Sequence, residues 1–109
     1  MGMKYEPPHN VTSRAKLARM IRALRRGEEL PAVVALPCGR AITGSHRIAA
    51  WDRLDIAHEA IEIDDDHYRA ACNWADVEYL DECDCDGQAE ALYQTTDDAE
   101  LRSALSDQR

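Results

Sequence analysis

An unbroken apolar run of strand length, residues 32–36, constrains the fold of this chain more than any other sequence feature. Pro31 precedes the run and Pro37 follows it, so the segment is short. The run lacks the alternation of polar and apolar residues that is typical of a strand with one solvent-facing side, so we expect a central strand covered on both faces. The rest of the chain is mostly helical in pattern. Together these features predict an α/β (α+β) domain, a small sheet with packed helices.

The segments around this run predict the remaining elements. Helices are expected where apolar side chains recur at three- and four-residue spacing. They lie at about residues 13–26, 46–55, 67–80, 89–93 and 99–105. Residues 61–63 alternate as a short strand does, and residues 37–40 have turn composition, which makes residues 41–43 the returning strand of a hairpin. Residues 84–87 are expected to break the helical pattern.

The length of 109 residues allows one domain with a single modest core. We expect residues 1–66 to form this core and residues 67–109 to form an acidic helical extension packed on the same domain. The sequence has no apolar run long enough to span a bilayer and no signal-peptide pattern, which indicates a cytoplasmic protein with reduced thiols. A small domain of this kind is compatible with a phage, plasmid or chromosomal origin.

The two halves of the chain carry opposite charges. Residues 1–54 have ten Lys and Arg against four Asp and Glu, which gives +6, whereas residues 55–109 have three against seventeen, which gives −14. The basic half attracts phosphate, but the acidic half repels a long polyanion. The pattern therefore favours a small phosphorylated ligand over duplex DNA. It also makes the acidic tail a candidate for binding a basic protein surface.

The junction between the hairpin and the next helix, Thr43-Gly44-Ser45-His46-Arg47, is a candidate anion site. Gly44 supplies backbone freedom at the turn, and Ser45 is predicted to cap the helix. The first N–H groups of a helix lack intrahelical acceptors and lie at the positive end of its dipole. Arg47 is unfavourable there unless an anion compensates its charge, so these N–H groups and the guanidinium are predicted to hold a phosphate. The alternative is a solvent-exposed helix start.

Three further groups of side chains are open to two interpretations each. His46 is a candidate for hydrogen bonding to the phosphate or for proton transfer, or it is an exposed polar residue. Asp64-Asp65-Asp66 has the oxygen ligands that suit Mg²⁺, but an acidic cluster at a helix start is also favoured by the helix dipole. The arginines of the first helix form either a solvated face or a surface for phosphate or nucleic acid. They are Arg14, Arg19, Arg22, Arg25 and Arg26.

Together, residues from about 6 to 66 resemble the ParB/sulfiredoxin superfamily, whose members are compact α/β nucleotide-binding domains. The order of helix, glycine, proline and strand before the junction is similar to that of ParB-type domains. These elements are Lys16–Arg22, Gly27, Leu30-Pro31 and Val33-Val34. Gly44-Ser45-His46-Arg47 looks like the superfamily motif Gly-x-His-Arg, which cradles nucleotide phosphates and precedes a helix with small residues.

The resemblance implies that Thr43, Gly44, Ser45, His46 and Arg47 bind the nucleotide and that His46 and Arg47 act in any catalysis. The motif is more similar to sulfiredoxin and the free-serine kinases than to chromosome-partitioning ParB. Sulfiredoxin has its catalytic cysteine where this chain has Ser45, so sulfinic acid reduction is not expected. ParB-type CTP switches have a glutamate at that position and an arginine at the position of His46. Full ParB proteins continue into a helix-turn-helix domain, and this chain continues into the acidic tail.

Three functions follow as hypotheses. The leading one is a small domain that binds a nucleoside triphosphate with Mg²⁺ and, if turnover occurs, acts as a nucleotide hydrolase or phosphotransferase. The second is a non-catalytic interaction or inhibitor protein whose acidic helical tail binds a basic partner. The third is a ParB-like DNA-binding or nuclease domain that uses the arginines of the first helix.

Overall fold

The computed structural model describes residues 4–106, and within this range the predicted α+β class is confirmed. The helices are α1 (Arg14–Arg25), α2 (Ser45–Arg53), α3 (Asp65–Ala75), α4 (Cys85–Thr95) and α5 (Ala99–Ser106), with a 3₁₀ helix at Leu80–Glu82. The strands β1 (Val33–Ala35) and β2 (Ala60–Glu62) pair in parallel with Val34 opposite Ile61. The predicted segments 1–66 and 67–109 each include three terminal residues that lie outside the described range.

A hairpin extends the sheet on the second edge of β1. The amide of Leu36 donates to the carbonyl of Arg40 at 2.9 Å, and the amide of Ile42 donates to the carbonyl of Val34 at 2.8 Å. These bonds form the antiparallel return that the turn composition of residues 37–40 predicts. Strand pairing along residues 41–43 is limited to an isolated bridge at Ala41, because the chain bends directly afterwards toward α2.

The strand β1 is buried on both faces, as its unbroken apolar run predicts. On one face, Val33 and Ala35 pack with Ile48 and Trp51 of α2. On the other face, Val34 belongs to a larger cluster that the C-terminal helices complete. That cluster contains Val34, Leu36, Ile42, Ile63, Ala71, Cys72, Leu80, Ala91, Leu92, Leu101, Ala104 and Leu105. The domain therefore has three layers, with α1 and α2 on one side of the sheet and α3 to α5 on the other.

Side chains cap four of the helices at their first turn. Ser13 caps α1, Asp64 caps α3, Asp84 caps α4 and Asp98 caps α5, each by accepting a hydrogen bond from the amide three residues further along the chain. The predicted start of the first helix at about residue 13 is thus confirmed.

Two predicted helix boundaries are wrong. The helix predicted to run from His67 to about Leu80 ends at Ala75, because Asp76 adopts a left-handed conformation with φ 58°. The predicted break at residues 84–87 is instead the start of α4, since Asp84 is the cap and Gly87 lies in the first helical turn. The Gly87 amide donates its hydrogen bond to Asp84 and stabilises the first turn of α4, so these residues of turn-like composition begin a helix.

Candidate functional site

Gly44 connects the hairpin to α2 in a left-handed conformation, with φ 83°. A Cβ at this position would collide with Cγ1 of Val33 and would lie 3.0 Å from Nε of Arg47. Both the backbone angle and the available space therefore require glycine. The predicted cap is wrong by one residue. Gly44 is the N-cap of α2, and no side chain caps this helix, because the left-handed turn brings Ser45 into the first helical turn.

Ser45 and His46 bind the segment that leads into α1. Oγ of Ser45 accepts a hydrogen bond from the His9 amide at 3.1 Å, and Nε2 of His46 accepts one from the Ser13 amide at 3.1 Å. Because Nε2 is an acceptor, the neutral imidazole carries its proton on Nδ1. Burial lowers the pKa of His46, and repulsion by Lys16 and His9 lowers it further. The alternative of an exposed histidine is wrong, since His46 is only 8% exposed.

Arg47 is buried, with 6% of its surface exposed, and is held by the chain entering β1. Its Nη1 donates to the carbonyl of Pro31 at 2.9 Å and to the carbonyl of Ala32 at 3.0 Å. These bonds fix the guanidinium beside the N-terminus of α2. The sequence predicts that Arg47 needs negative compensation there, and the two carbonyl oxygens supply part of it.

Thr43 has a different surrounding from the other four predicted residues. It is fully buried, and its Oγ1 accepts a hydrogen bond from the Val34 amide at 2.9 Å. Thr43 therefore fixes the hairpin against β1, and in this way it stabilises the position of the junction.

A cleft of about 450 Å³ lies at the N-terminus of α2. Its lining residues come from the N-terminal segment, α1, the chain entering β1, the junction and α4. They are His9, Thr12, Lys16, Met20, Pro31, Gly44, Ser45, His46, Arg47 and Asp86. The volume is ordinary for a ligand site, which typically measures about 300–1,000 Å³. Lys16 and Arg47 bring positive charge to the same opening as the positive end of the α2 dipole, so the arrangement suits an anion.

Sequence reasoning missed all three titratable residues that line the cleft from outside the junction. His9 and Lys16 reach it because Ser45 and His46 hold the N-terminal segment and the start of α1 against α2. Asp86 reaches it from the first turn of α4, in the layer on the other side of the sheet. The positions of these residues depend on packing between segments that are far apart in the chain, so no local pattern in the sequence predicts them.

A second anchor holds the N-terminal wall of the cleft. The amide of Tyr5 donates to Nδ1 of the buried His58 at 2.9 Å, and Nε2 of His58 lies 2.6 Å from Oδ1 of Asp52. Burial acts to raise the pKa of Asp52, but its hydrogen bonds from His58 and Lys4 outweigh that effect and lower the pKa. The segment before α1 is therefore fixed to α2 at both of its ends.

The acidic triplet Asp64–Asp66 begins α3 and does not line the cleft. Oδ1 of Asp64 accepts a hydrogen bond from the His67 amide at 2.8 Å and lies 2.7 Å from Nδ1 of His67. These two bonds lower the pKa of Asp64. Among residues 4–106, no group of three or more His, Cys, Asp or Glu side chains is arranged to hold a metal ion.

The arginines of α1 are all exposed to solvent. Arg26 pairs with Glu28 just after the helix. Lys16 is the α1 cation that lines the cleft, whereas Arg19, one turn further along, does not line it.

Comparison of the chain with protein-family models, with curated proteins and with solved structures finds no match. Within residues 4–106, no helix has both the length and the apolar character needed to cross a membrane.

Proposed function

We propose that the cleft at the N-terminus of α2 binds the phosphate groups of a nucleotide. The observation that carries this proposal is the junction itself. Gly44 begins α2 without a side-chain cap, and the helix start opens into a cleft of about 450 Å³ beside the fixed guanidinium of Arg47. The resemblance of Gly44-Ser45-His46-Arg47 to the ParB/sulfiredoxin phosphate motif supports the same ligand class.

Each residue of the junction has a distinct role in this proposal. The backbone N–H groups of Ser45 to Arg47 donate to phosphate oxygens, and Arg47 neutralises their charge. Lys16 adds a second cation from α1. Since Nε2 of His46 already accepts from the Ser13 amide, the imidazole acts through Nδ1, which is a hydrogen-bond donor in the neutral ring.

The geometry supports binding more directly than turnover. A base at His46 would have to give up its bond to Ser13, whereas a donor at Nδ1 would not. If the chain hydrolyses a nucleoside triphosphate or transfers its phosphoryl group, His46 and Arg47 are the residues that contact the reacting phosphate. A Mg²⁺ ion bound with the triphosphate would meet one carboxylate, Asp86, and one or two carboxylates plus substrate phosphates are the usual ligands of such an ion.

Thermal unfolding with ATP, CTP, GTP and ADP, each with and without Mg²⁺, tests the proposal. A ligand that binds only the folded state adds about 2.7 kcal/mol of stability at a hundred times its dissociation constant. The informative variant is Lys16→Ala, because Lys16 is exposed and lines the cleft. Arg19→Ala is the matched control, since it removes the same charge from the next turn of α1 outside the cleft.

We expect a nucleotide-dependent rise in Tm that is kept in Arg19→Ala and reduced in Lys16→Ala. The proposal fails if no nucleotide raises the Tm of the unaltered protein, or if both variants lose the shift equally. Titration with duplex DNA at low salt distinguishes the ParB-like DNA-binding hypothesis. Binding with a steep salt dependence would favour that hypothesis over a small phosphorylated ligand.

A further inference from the structure

A second cavity, of about 270 Å³, lies where the hairpin turn meets α3 and the 3₁₀ helix. We call it the tyrosine groove. The turn contributes Pro37 and Cys38, α3 contributes Asp65 and Tyr68, and the segment at the 3₁₀ helix contributes Tyr79 and Asp81. None of these residues lines the cleft at α2.

The two tyrosines give the groove aromatic walls. The hydroxyl of Tyr68 accepts a hydrogen bond from the Leu80 amide at 3.0 Å, which fixes its ring between α3 and the 3₁₀ helix. Tyr79 is 59% exposed, so much of its side chain is open to a ligand. Aromatic faces attract cations, and arginine is the cation that most often stacks on them.

The charges at the groove are negative. Asp65 and Asp81 are both exposed and both line it. They belong to the half of the chain that carries −14. Arg69 lines a neighbouring cavity of about 350 Å³ that shares Asp65 and both tyrosines with the groove but does not include Asp81, so a positive ligand group is favoured on the Asp81 side.

We propose that the tyrosine groove docks a basic segment of a partner protein by taking up an arginine side chain. The aliphatic part of that side chain packs on Tyr68 and Tyr79, and its guanidinium lies toward Asp81. Charge complementarity selects this occupant, because an apolar groove with carboxylates suits a side chain with an apolar stem and a positive end. The chain uses the same chemistry internally. The guanidinium carbon of Arg102 lies 4.6 Å from the ring centroid of Tyr93.

The test uses two short peptides in a glycine-serine background, one with two arginines and one with citrulline in their place. Citrulline keeps the shape of arginine and removes its charge. Binding is followed by a two-dimensional NMR titration at low salt. A second readout is protection of Cys38 from maleimide, because this thiol is exposed and lines the groove. Mass spectrometry of the labelled protein locates the modification on Cys38.

We expect the arginine peptide to bind, to shift the resonances of residues that line the groove and to slow labelling of Cys38. Tyr79→Ala should weaken binding about two- to fivefold. Asp81→Asn should weaken it about two- to threefold, and added salt should reduce the difference. Trp74→Ala and Asp97→Asn are the matched controls, since both side chains are exposed and neither lines the groove, and both variants should bind as the unaltered protein does.

Four results would overturn the proposal. The first is no binding of the arginine peptide, and the second is equal binding of the citrulline peptide. The third is an equal loss in Asp81→Asn and Asp97→Asn, which would show non-specific attraction to the acidic half. The fourth is a dimer that Tyr79→Ala abolishes, which would mean that a second copy fills the groove with the arginines of its own α1. If Tyr79→Ala does not fold, Asp81→Asn and Cys38 protection decide between these results.

Discussion

The Ser13 amide donates a hydrogen bond of 3.1 Å to Nε2 of His46, so one imidazole joins the start of α1 to the start of α2. A protonated imidazole has two donors and no acceptor, so this bond exists only with the neutral ring. The side of the cleft that carries Lys16 therefore depends on the protonation state of one buried side chain.

Stability should fall on acidification because of His46. Its pKa is lowered in the folded protein from the ordinary value of 6.5, mainly by burial. Between these two pKa values the unfolded chain binds more protons than the folded chain, so the free energy of unfolding decreases as the pH falls through that window. Above it, the stabilising contribution is complete.

Urea unfolding of the unaltered protein and of His46→Gln, at pH 8 and at pH 5.5, measures this effect. Glutamine keeps a polar group at the position without titrating. The loss of stability between the two pH values should be smaller in the variant, and equal losses would contradict the assignment to His46.

Gly44→Ala should be among the most destabilising single changes in the domain. The left-handed φ of 83° costs a residue with a Cβ about 1–2 kcal/mol. The collision with Val33 adds an overpacking cost of about 1–3 kcal/mol. The control is Gly27→Ala, because Gly27 has a similar φ of 86° and open space around a Cβ. This variant should lose only the stability that the left-handed backbone costs, about 1–2 kcal/mol. Urea unfolding compares the two, and a similar loss in both would exclude the steric contribution.

Arg47→Ala should lower stability by about 2–3 kcal/mol, because it leaves the carbonyls of Pro31 and Ala32 without their charged donor. Arg47→Lys should recover little of this, since an ammonium group cannot reproduce the planar fork of donors. Arg53→Ala removes an exposed arginine from the last turn of the same helix and should change stability by less than about 1 kcal/mol. Equal effects at positions 47 and 53 would mean that the carbonyl contacts contribute nothing.

Thr43→Val should cost about 1–3 kcal/mol although the two side chains have nearly the same shape. The change leaves the buried Val34 amide without the acceptor that Thr43 Oγ1 provides. Thr43→Ser keeps the hydroxyl and loses one methyl group, which is worth about 0.8 kcal/mol. Chemical denaturation should therefore rank serine above valine at this position, and the opposite order would refute the structural role of the hydroxyl.

Local pattern was sufficient to predict β1, the start of α1 and the contiguous residues Gly44 to Arg47 of the candidate site. Each of these features depends on neighbours in the sequence, such as apolar spacing, a capping side chain or a glycine before a helix. The end of α3 was not predictable in this way, because the left-handed position is occupied by Asp76 and not by the glycine that usually marks it.

The surroundings of the site depend on tertiary structure. The carbonyls that hold Arg47 lie fifteen and sixteen positions earlier in the chain, before β1. Asp86 reaches the cleft from the acidic C-terminal part, which sequence reasoning considered only as a binding tail. Packing between the layers of the domain brings these groups together, and the spacing of apolar residues in the sequence does not predict that packing.

The arrangement of β1 has a consequence for how the domain opens. Val33 and Ala35 belong to the layer of α2, and Val34 and Leu36 belong to the layer of α3 to α5, so adjacent residues of one short strand serve two hydrophobic clusters. Neither layer can detach without exposing the strand that the other needs. We therefore expect a single cooperative transition, with the backbone amides of β1 exchanging their hydrogens only through global unfolding.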